Sequence, residues 1–483
     1  MAPLVLAPAI DQHQCSLLQE KLPGQVLAGG ASNNAVIESY YSAQAQDMTP
    51  GCTVLVSSAA DVSTAVKILS DGFSQSLPGC EFAVRSGGHS PNEASNNING
   101  GVTIDLSRLG DVIPSPDRQT VAVGPGNRWQ DVYSVLDPQG LTVLGGRSRT
   151  VGVGGLLLSG GMSFFSPRFG MACDNVLNYE VVLANGEIVN ANQESNADLY
   201  KALKGGSNNF GVVTRFDLRA FPQEDFWGGV AFYDSSSLPQ LLDSFSAFDQ
   251  TESYDPFSQL TLLYGRFGNT TIAMTHQHYT KPEAPPESVF GAFAPLQVQK
   301  SFRIDSLTNF TIEMESTQDN GTVRKAFSTA TYKNNPELLH KLQAISFDVF
   351  DQLARVNGLQ FIVSLQPFGQ FITSKAVETG GNLLGLDADD GDRVLVGLTI
   401  DWHDKADDDV VNAGIQQLIQ RADAEAENLG ASDDYLFLNY ASPWQDPYGG
   451  VGAEDLEAYR EASRKYDPEQ LFQRAVPGGF KLF

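Results

Sequence analysis

The residues best suited to chemistry lie in the run Arg85-Ser86-Gly87-Gly88-His89-Ser90. Two glycines directly after an apolar run let backbone N–H groups turn toward a phosphate with no Cβ in the way, so residues 86 to 90 can cradle a pyrophosphate. Taken alone, the same run reads first as a tight turn carrying a surface histidine. A second glycine cluster, from Val151-Gly152-Val153-Gly154-Gly155 to Gly160-Gly161, raises the odds for a dinucleotide. It does not spell the nicotinamide fingerprint, because Leu157 stands where the third glycine belongs. Of the six histidines, His276 and His278 lie two apart on an expected strand and so share a face. They could form half of a metal site, but no third ligand is evident, and ordinary strand positions are expected. His340 reads as structural on an amphipathic helix, and His403, beside Asp401 and Asp404, as a surface residue. His89 alone among them stands in a glycine loop. There is no Gly-x-Ser-x-Gly elbow and no Walker loop, which removes the main support for a serine hydrolase or a P-loop enzyme.

Strands and helices must hold these loops in place. Thr53–Val56 reads as a strand, followed by a helix with Val62, Ala65, Val66 and Leu69 on one face and Ser57 or Ser58 as its cap. Glu81–Arg85 is a second strand, so the glycine loop ends a βαβ unit. Strands are expected at Val102–Leu106 and Thr120–Val123, a helix at Arg128–Leu136, and a hairpin of Glu180–Leu183 with Ile188–Asn190 around Asn185-Gly186. After Phe221-Pro222 the glycine loops thin out. Strand-like runs at Gln259–Phe267, Thr271–Tyr279, Gln360–Leu365 and Val394–Trp402 accompany helical patterns at Pro336–Val356 and Asp407–Asn428. Paired strands with long covering helices indicate an α+β lobe with an antiparallel sheet. A last helix is expected at Ala453–Lys465.

The whole chain sets the bounds. At 483 residues it exceeds one comfortable core, and two lobes sharing an interface are expected. A net charge of −26, spread along the chain, repels nucleic acid and anionic lipid and favours a small-molecule partner. No apolar run is long enough to cross a bilayer, and Met1–Ile10 lacks the basic and apolar regions of a secretion signal. The four cysteines, Cys15, Cys52, Cys80 and Cys173, have no metal-ligand spacing. Cys15 and Cys52 either form one bridge in an oxidising compartment or remain buried thiols. Sequons at Asn269, Asn309 and Asn320 could carry glycans in an exported protein.

At this point the chain resembles a known family, the berberine-bridge-enzyme-like branch of the vanillyl-alcohol-oxidase flavoproteins, in its fungal form. The resemblance covers essentially the full length. It rests on Val84-Arg85-Ser86-Gly87-Gly88-His89-Ser90, Thr150-Val151-Gly152-Val153-Gly154-Gly155, Phe169-Gly170-Met171-Ala172-Cys173-Asp174-Asn175-Val176 and Gly205-Gly206-Ser207-Asn208-Asn209-Phe210-Gly211-Val212-Val213-Thr214. Asn439-Tyr440 and Lys465-Tyr466-Asp467-Pro468, followed by Phe472, complete it. It implies a PCMH-type FAD-binding lobe made of residues 1–222 and 431–483, with a substrate lobe of residues 223–430 between them. It also implies that His89 is joined to the 8α-methyl carbon of FAD and that residues 85 to 90, Arg85 and Ser90 included, wrap the pyrophosphate. Thr150, Val151, Gly152, Gly154, Gly155, Asp174, Asn175, Val213, Asn439 and Tyr440 would complete the cofactor site.

The departures from the family pattern are as telling. Many relatives attach FAD a second time through a cysteine, but here that position is Ser148, so His89 is the single covalent link expected. Val151 matches a position that gates oxygen at the flavin and favours an oxidase. The places of the usual base residues hold Phe169 and Gly397, which leaves Tyr440 as the candidate to accept a substrate proton. The reaction implied is hydride removal from a C–H beside a hydroxyl or amine of an apolar, secondary-metabolite-like substrate, with O2 as acceptor and H2O2 as product. A flavoprotein cyclase and a catalytically silent flavin-fold binding protein are the alternatives. No metal, nucleic-acid or membrane partner is expected, and a secreted or secretory-pathway origin is, with any signal absent from this chain.

Overall fold

A computed structural model describes residues 13–268, 270–315, 323–386 and 391–483. Met1–Ile10, Asn269 and Asn320 lie outside the described residues. Asn309 is exposed near the start of a helix, its amide donating to Asp305 at 2.6 Å.

Three sheets organise the described residues. The first runs in the order Val26–Leu27, Cys52–Leu55, Val102–Asp105, Phe82–Arg85, with the last three strands parallel. The expected βαβ unit is therefore present but spans a gap, because Val102–Asp105 inserts between its two strands. The crossover helix is Ala59–Ser74, which buries Val62, Ala65, Val66 and Leu69 on one side. Ser58 is its cap, accepting from the Asp61 N–H at 3.1 Å, while Ser57 donates to the Asp61 carboxylate. Cys15 and Cys52 form a disulfide, Cα atoms 5.9 Å apart, which ties the helix His13–Lys21 to this sheet.

The second sheet is antiparallel, with Val212–Pro222 at its centre between Thr120–Val123 and Val176–Val182. Val176–Val182 and Ile188–Ala191 form the expected hairpin.

The third sheet carries nine strands, all antiparallel. Its middle is Thr270–Tyr279, Ser258–Phe267, Gln360–Pro367 and Arg393–Trp402 in that order. Alternation along each strand sends Leu260, Leu262, Phe361, Val363, Leu365 and Val396 under the helices Leu238–Phe248, Pro336–Gln352 and Asp408–Leu429. The opposite face is mixed, with Thr261, His276, Ser364, Gln366 and Thr399 beside Leu263 and Ile362.

Two strands of this sheet, Phe226–Tyr233 and Arg324–Lys333, escape hydrophobic patterning. The first is interrupted by Gly228-Gly229. The second reads RKAFSTATYK because its polar groups are satisfied by protein: Lys325 pairs with Asp401 at 2.8 Å, and Ser328 donates to Gln445.

The helix Leu307–Met314 departs from the simple division of the chain. It packs Leu307 and Phe310 into the core around Trp129 and Tyr133, and Thr308 bonds Asp137. The tail behaves similarly. Ser432–Asp433 joins the third sheet, whereas Phe472 and Val476 pack beneath the first. Among the described residues no helix is long and apolar enough to cross a membrane.

Candidate active site

One cavity lies between the glycine loops and the mixed face of the third sheet. Its volume is about 410 Å³, within the usual range for a small-molecule site.

Its first wall is built by contact between the two glycine clusters. A Cβ on Gly87 would come within 2.5 Å of the Gly152 Cα, and one on Gly152 within 2.4 Å of the Gly87 nitrogen. Both positions must be glycine for the loops to meet. Ser86 stitches them together, its hydroxyl donating to the Pro125 carbonyl and accepting from the Gly154 N–H at 3.1 Å. Gly155 has open space where a Cβ would stand. Gly88 adopts φ +68°, a conformation that costs glycine nothing.

Ser86, Gly87, Gly88, His89, Ser90, Val151, Gly152, Gly154, Gly155, Val213, Asn439 and Tyr440 all line the cavity. Arg85 sits behind the loop, ion-paired to Asp105 at 2.7 Å and stacked over Tyr40. Thr150 turns to Glu315, its N–H donating at 3.2 Å. Asp174 and Asn175 are not brought to the cavity. Asp174 accepts from Asn382 at 2.8 Å, burial pushing its carboxyl above the usual range, and Asn175 donates to the Phe169 and Met171 carbonyls. Both positions shape the turn beneath the site, because a buried polar side chain must spend its bonds on the local backbone. Phe169 packs on Phe221, with ring centroids 4.7 Å apart.

His89 stacks on Tyr41 with ring centroids 3.7 Å apart and a 16° tilt. Burial holds its imidazole down to about 4, against the opposing pull of Glu315; Lys325 and Arg128 add to the lowering. Its Nε2 has no hydrogen-bond partner, the nearest carboxylate oxygen being Glu315 Oε1 at 3.9 Å. A neutral imidazole with an unused nitrogen is a competent nucleophile.

Patterning gave no sign of Glu315. Its buried carboxylate accepts from Ser148 at 2.7 Å, from Arg149 at 2.9 Å and from both the N–H and hydroxyl of Thr150. It thus clamps the segment that enters the second glycine cluster.

The opposite wall holds Tyr440, Arg147, Gln366 and His276. Asn439 accepts from the Gly161 N–H at 3.1 Å and pins the tail to the second cluster. Tyr440, next in sequence, lays its ring over Gly397, where a Cβ would meet Ser364 Oγ at 2.6 Å and the ring at 3.2 Å. Gly397 therefore makes room for Tyr440. The Tyr440 oxygen accepts from Arg147 at 3.3 Å, which leaves its own O–H to be donated elsewhere.

His276 and His278 share a face, as their spacing requires, but only His276 reaches the cavity. His278 lies among Phe164, Phe226 and Phe310. The described residues contain no group of three ligands that could hold a metal. Burial, aided by Arg147, holds His276 down to about 3, so its imidazole is neutral at physiological pH. An unfolded histidine takes a proton below about pH 6.5, whereas the folded one resists it down to about 3, so stability must fall as pH drops through that window. The loss approaches ~1.4 kcal/mol per pH unit for one such group. His276→Gln is expected to flatten the decline in urea midpoint between pH 7 and 5, and an unchanged slope would count against this environment for His276.

The FAD binding domain family matches residues 50–192. A FAD-dependent monooxygenase of Aspergillus calidoustus is 36% identical over 480 residues, covering 98% of this chain and 91% of that protein. This chain belongs to the FAD-dependent oxidoreductases that include the fungal FAD-dependent monooxygenases. Among solved structures, berberine bridge enzyme in complex with (S)-reticuline superposes with a TM-score of 0.74 at 15% identity, covering 97% of this chain and 98% of that one. Glucooligosaccharide oxidase from Acremonium strictum, described with a 6-S-cysteinyl, 8α-N1-histidyl FAD, gives 0.77 at 16%, covering 97% and 99%. This FAD-dependent oxidoreductase carries an FAD-binding domain, and its residues fit the cofactor: the touching glycine loops, the open side of Gly155 and the ring of His89 all line one space.

Proposed function

We propose that this protein is an FAD-dependent oxidase acting on an apolar, secondary-metabolite-like molecule at a C–H beside a hydroxyl or amine. One observation carries the reading: a single cavity joins the glycine loops to a sheet face that presents His276 among apolar side chains such as Leu263 and Ile362, with Tyr440 and Arg147 also in its lining. When bound there, FAD would accept the hydride equivalent and return the electrons to O2, releasing H2O2. The protein's own share is positioning. Tyr440 bonds the substrate hydroxyl or amine and orients it, and Arg147 holds the phenol oxygen in place. The sheet and its covering helices keep bulk water from the reacting carbon. Val151, small and on the cavity wall, leaves room for O2.

We further propose one covalent bond to FAD, through His89. Glucooligosaccharide oxidase carries two such bonds, one to cysteine; here Ser148 occupies the cysteine position and gives its hydroxyl to Glu315. The Cys15–Cys52 bridge supports folding in an oxidising compartment, as in the secretory pathway.

The fungal relative's name favours a second reading, insertion of one oxygen atom of O2 into the substrate. Under 18O2 an oxidase puts the label into peroxide, in step with substrate loss, and none into product; a monooxygenase labels the product. A pure cyclase consumes no O2, and a silent binding protein fails to reoxidise promptly after photoreduction. Tyr440→Phe is expected to lower kcat about 10²–10³-fold with flavin content unchanged. A variant as fast as the parent would remove Tyr440 from the mechanism.

A further inference from the structure

Four arginines are buried among the described residues: Arg85, Arg147, Arg324 and Arg393. Three are ion-paired. Arg85 meets Asp105 at 2.7 Å, Arg393 meets Asp433 at 2.6 Å, and Arg324 holds Asp408 and Asp47. Arg147, only 9% exposed, has no such partner: its Nη2 donates to the Gln366 and Tyr440 side-chain oxygens, both neutral, and its Nη1 has no hydrogen bond. A buried guanidinium without a counter-charge is costly, and unlike lysine it cannot escape by losing its proton. Lys481 shows the other course, since burial pushes its ammonium down to about 7. The contrast is sharper because the protein has a net charge of −26, with no shortage of carboxylates to supply.

We infer that Arg147 is a substrate-binding residue, and that the molecule taken into this cavity has an apolar body bearing one anionic oxygen group, a carboxylate or an ionised phenol. The inference rests on the substrate-site reading given above and narrows it. Arg147 lines the cavity together with Tyr440 and His276. Tyr440 accepts from Arg147 and so has an O–H to give. His276 is neutral, and its Nδ1 has no hydrogen-bond partner. Guanidinium and phenol thus offer donors from one wall, a pair suited to an anionic oxygen, with a neutral imidazole rather than a carboxylate beside them. Leu263 and Ile362, on adjacent strands of the same face, supply apolar surface for the rest of the ligand.

The test uses the flavin-loaded protein and reads binding without turnover, by calorimetry at pH 8. The probes are 2-naphthoate and 4-nitrophenolate as anions and 2-naphthamide as the neutral counterpart. At least one anion should bind tenfold or more tightly than the amide, in spite of the protein's overall negative charge. Arg147→Met should abolish that preference and Arg147→Lys should keep part of it, all three proteins retaining flavin and a similar melting temperature. Equal binding of amide and anions overturns the inference, and so does failure of both anions to bind at millimolar concentration. If Arg147→Met shifts the flavin's reduction potential but leaves the anion preference intact, the charge serves the cofactor and the inference falls. Absence of peroxide production would sink the oxidase reading while leaving this one standing, and loss of anion selectivity would do the reverse.

Discussion

Acid precipitation of His89→Ala is expected to release all of its flavin into the supernatant, whereas the parent protein's pellet stays yellow. His89 is the one cavity imidazole placed at the glycine loop, and burial keeps it in the neutral form that can act as a nucleophile. No second anchor is expected, because Ser148, whose hydroxyl donates to Glu315, stands where the resemblance places a cysteine. The variant should still fold and bind FAD reversibly. Alanine leaves the Gly87–Gly152 contact, the Ser86 bridge and the Arg85–Asp105 pair untouched. Mass spectrometry of the peptide containing His89 gives an independent readout, its mass rising by one FAD in the parent only. A flavin bonded to imidazole is a stronger oxidant, so the variant's potential should also fall. Colour released from the parent protein would dispose of the covalent bond and leave the FAD fold intact.

The sequence shows the flavin side of this molecule more readily than the substrate side, and the reason is physical. Gly87 and Gly152 are glycine because backbone must meet backbone there, a constraint carried by two short glycine runs that stand out in the sequence. The helix Ala59–Ser74 and the strands Ser258–Phe267 and Arg393–Trp402 are legible for a similar reason, since each buries one periodic face. Arg147, His276, Gln366 and Glu315 come from four separate segments and meet only when the third sheet docks beside the glycine loops. None of them breaks a local pattern. Arg147 had the best available signal, standing in Gly145-Gly146-Arg147-Ser148 immediately before the second cluster. Asp174 and Asn175 illustrate the converse: a motif can be shared with a family because it holds a turn rather than because it touches a ligand. Arg324–Lys333 was hidden because its polar residues pair with protein, so the alternation that marks a half-wet strand is missing.

Glu315→Ala is expected to loosen the segment that enters the second glycine cluster. Four donors converge on its carboxylate, from Ser148, Arg149 and twice from Thr150, and each donor left unsatisfied inside a protein costs about 1–3 kcal/mol. The sum would overstate the loss. Arg149 is 38% exposed and can turn to water, and Ser148 borders the cavity, so a net loss of about 2–3 kcal/mol is expected from urea unfolding. Glu315→Gln keeps one carbonyl oxygen for the Ser148 and Thr150 donors but loses the charge, and should cost about 1 kcal/mol. The two variants also separate the structural role from an electrostatic one. Glu315 is the charge that opposes the burial of His89, so removing it should leave the imidazole still harder to protonate. If the clamp matters to flavin mainly by fixing residues 148–150, Gln should retain nearly the parent's acid-stable flavin while Ala loses much of it. If the negative charge assists the bond at His89, both variants should lose acid-stable flavin to a similar degree despite their different stabilities. Ala as stable and as yellow as the parent would show that the segment before the second glycine cluster needs no clamp at all.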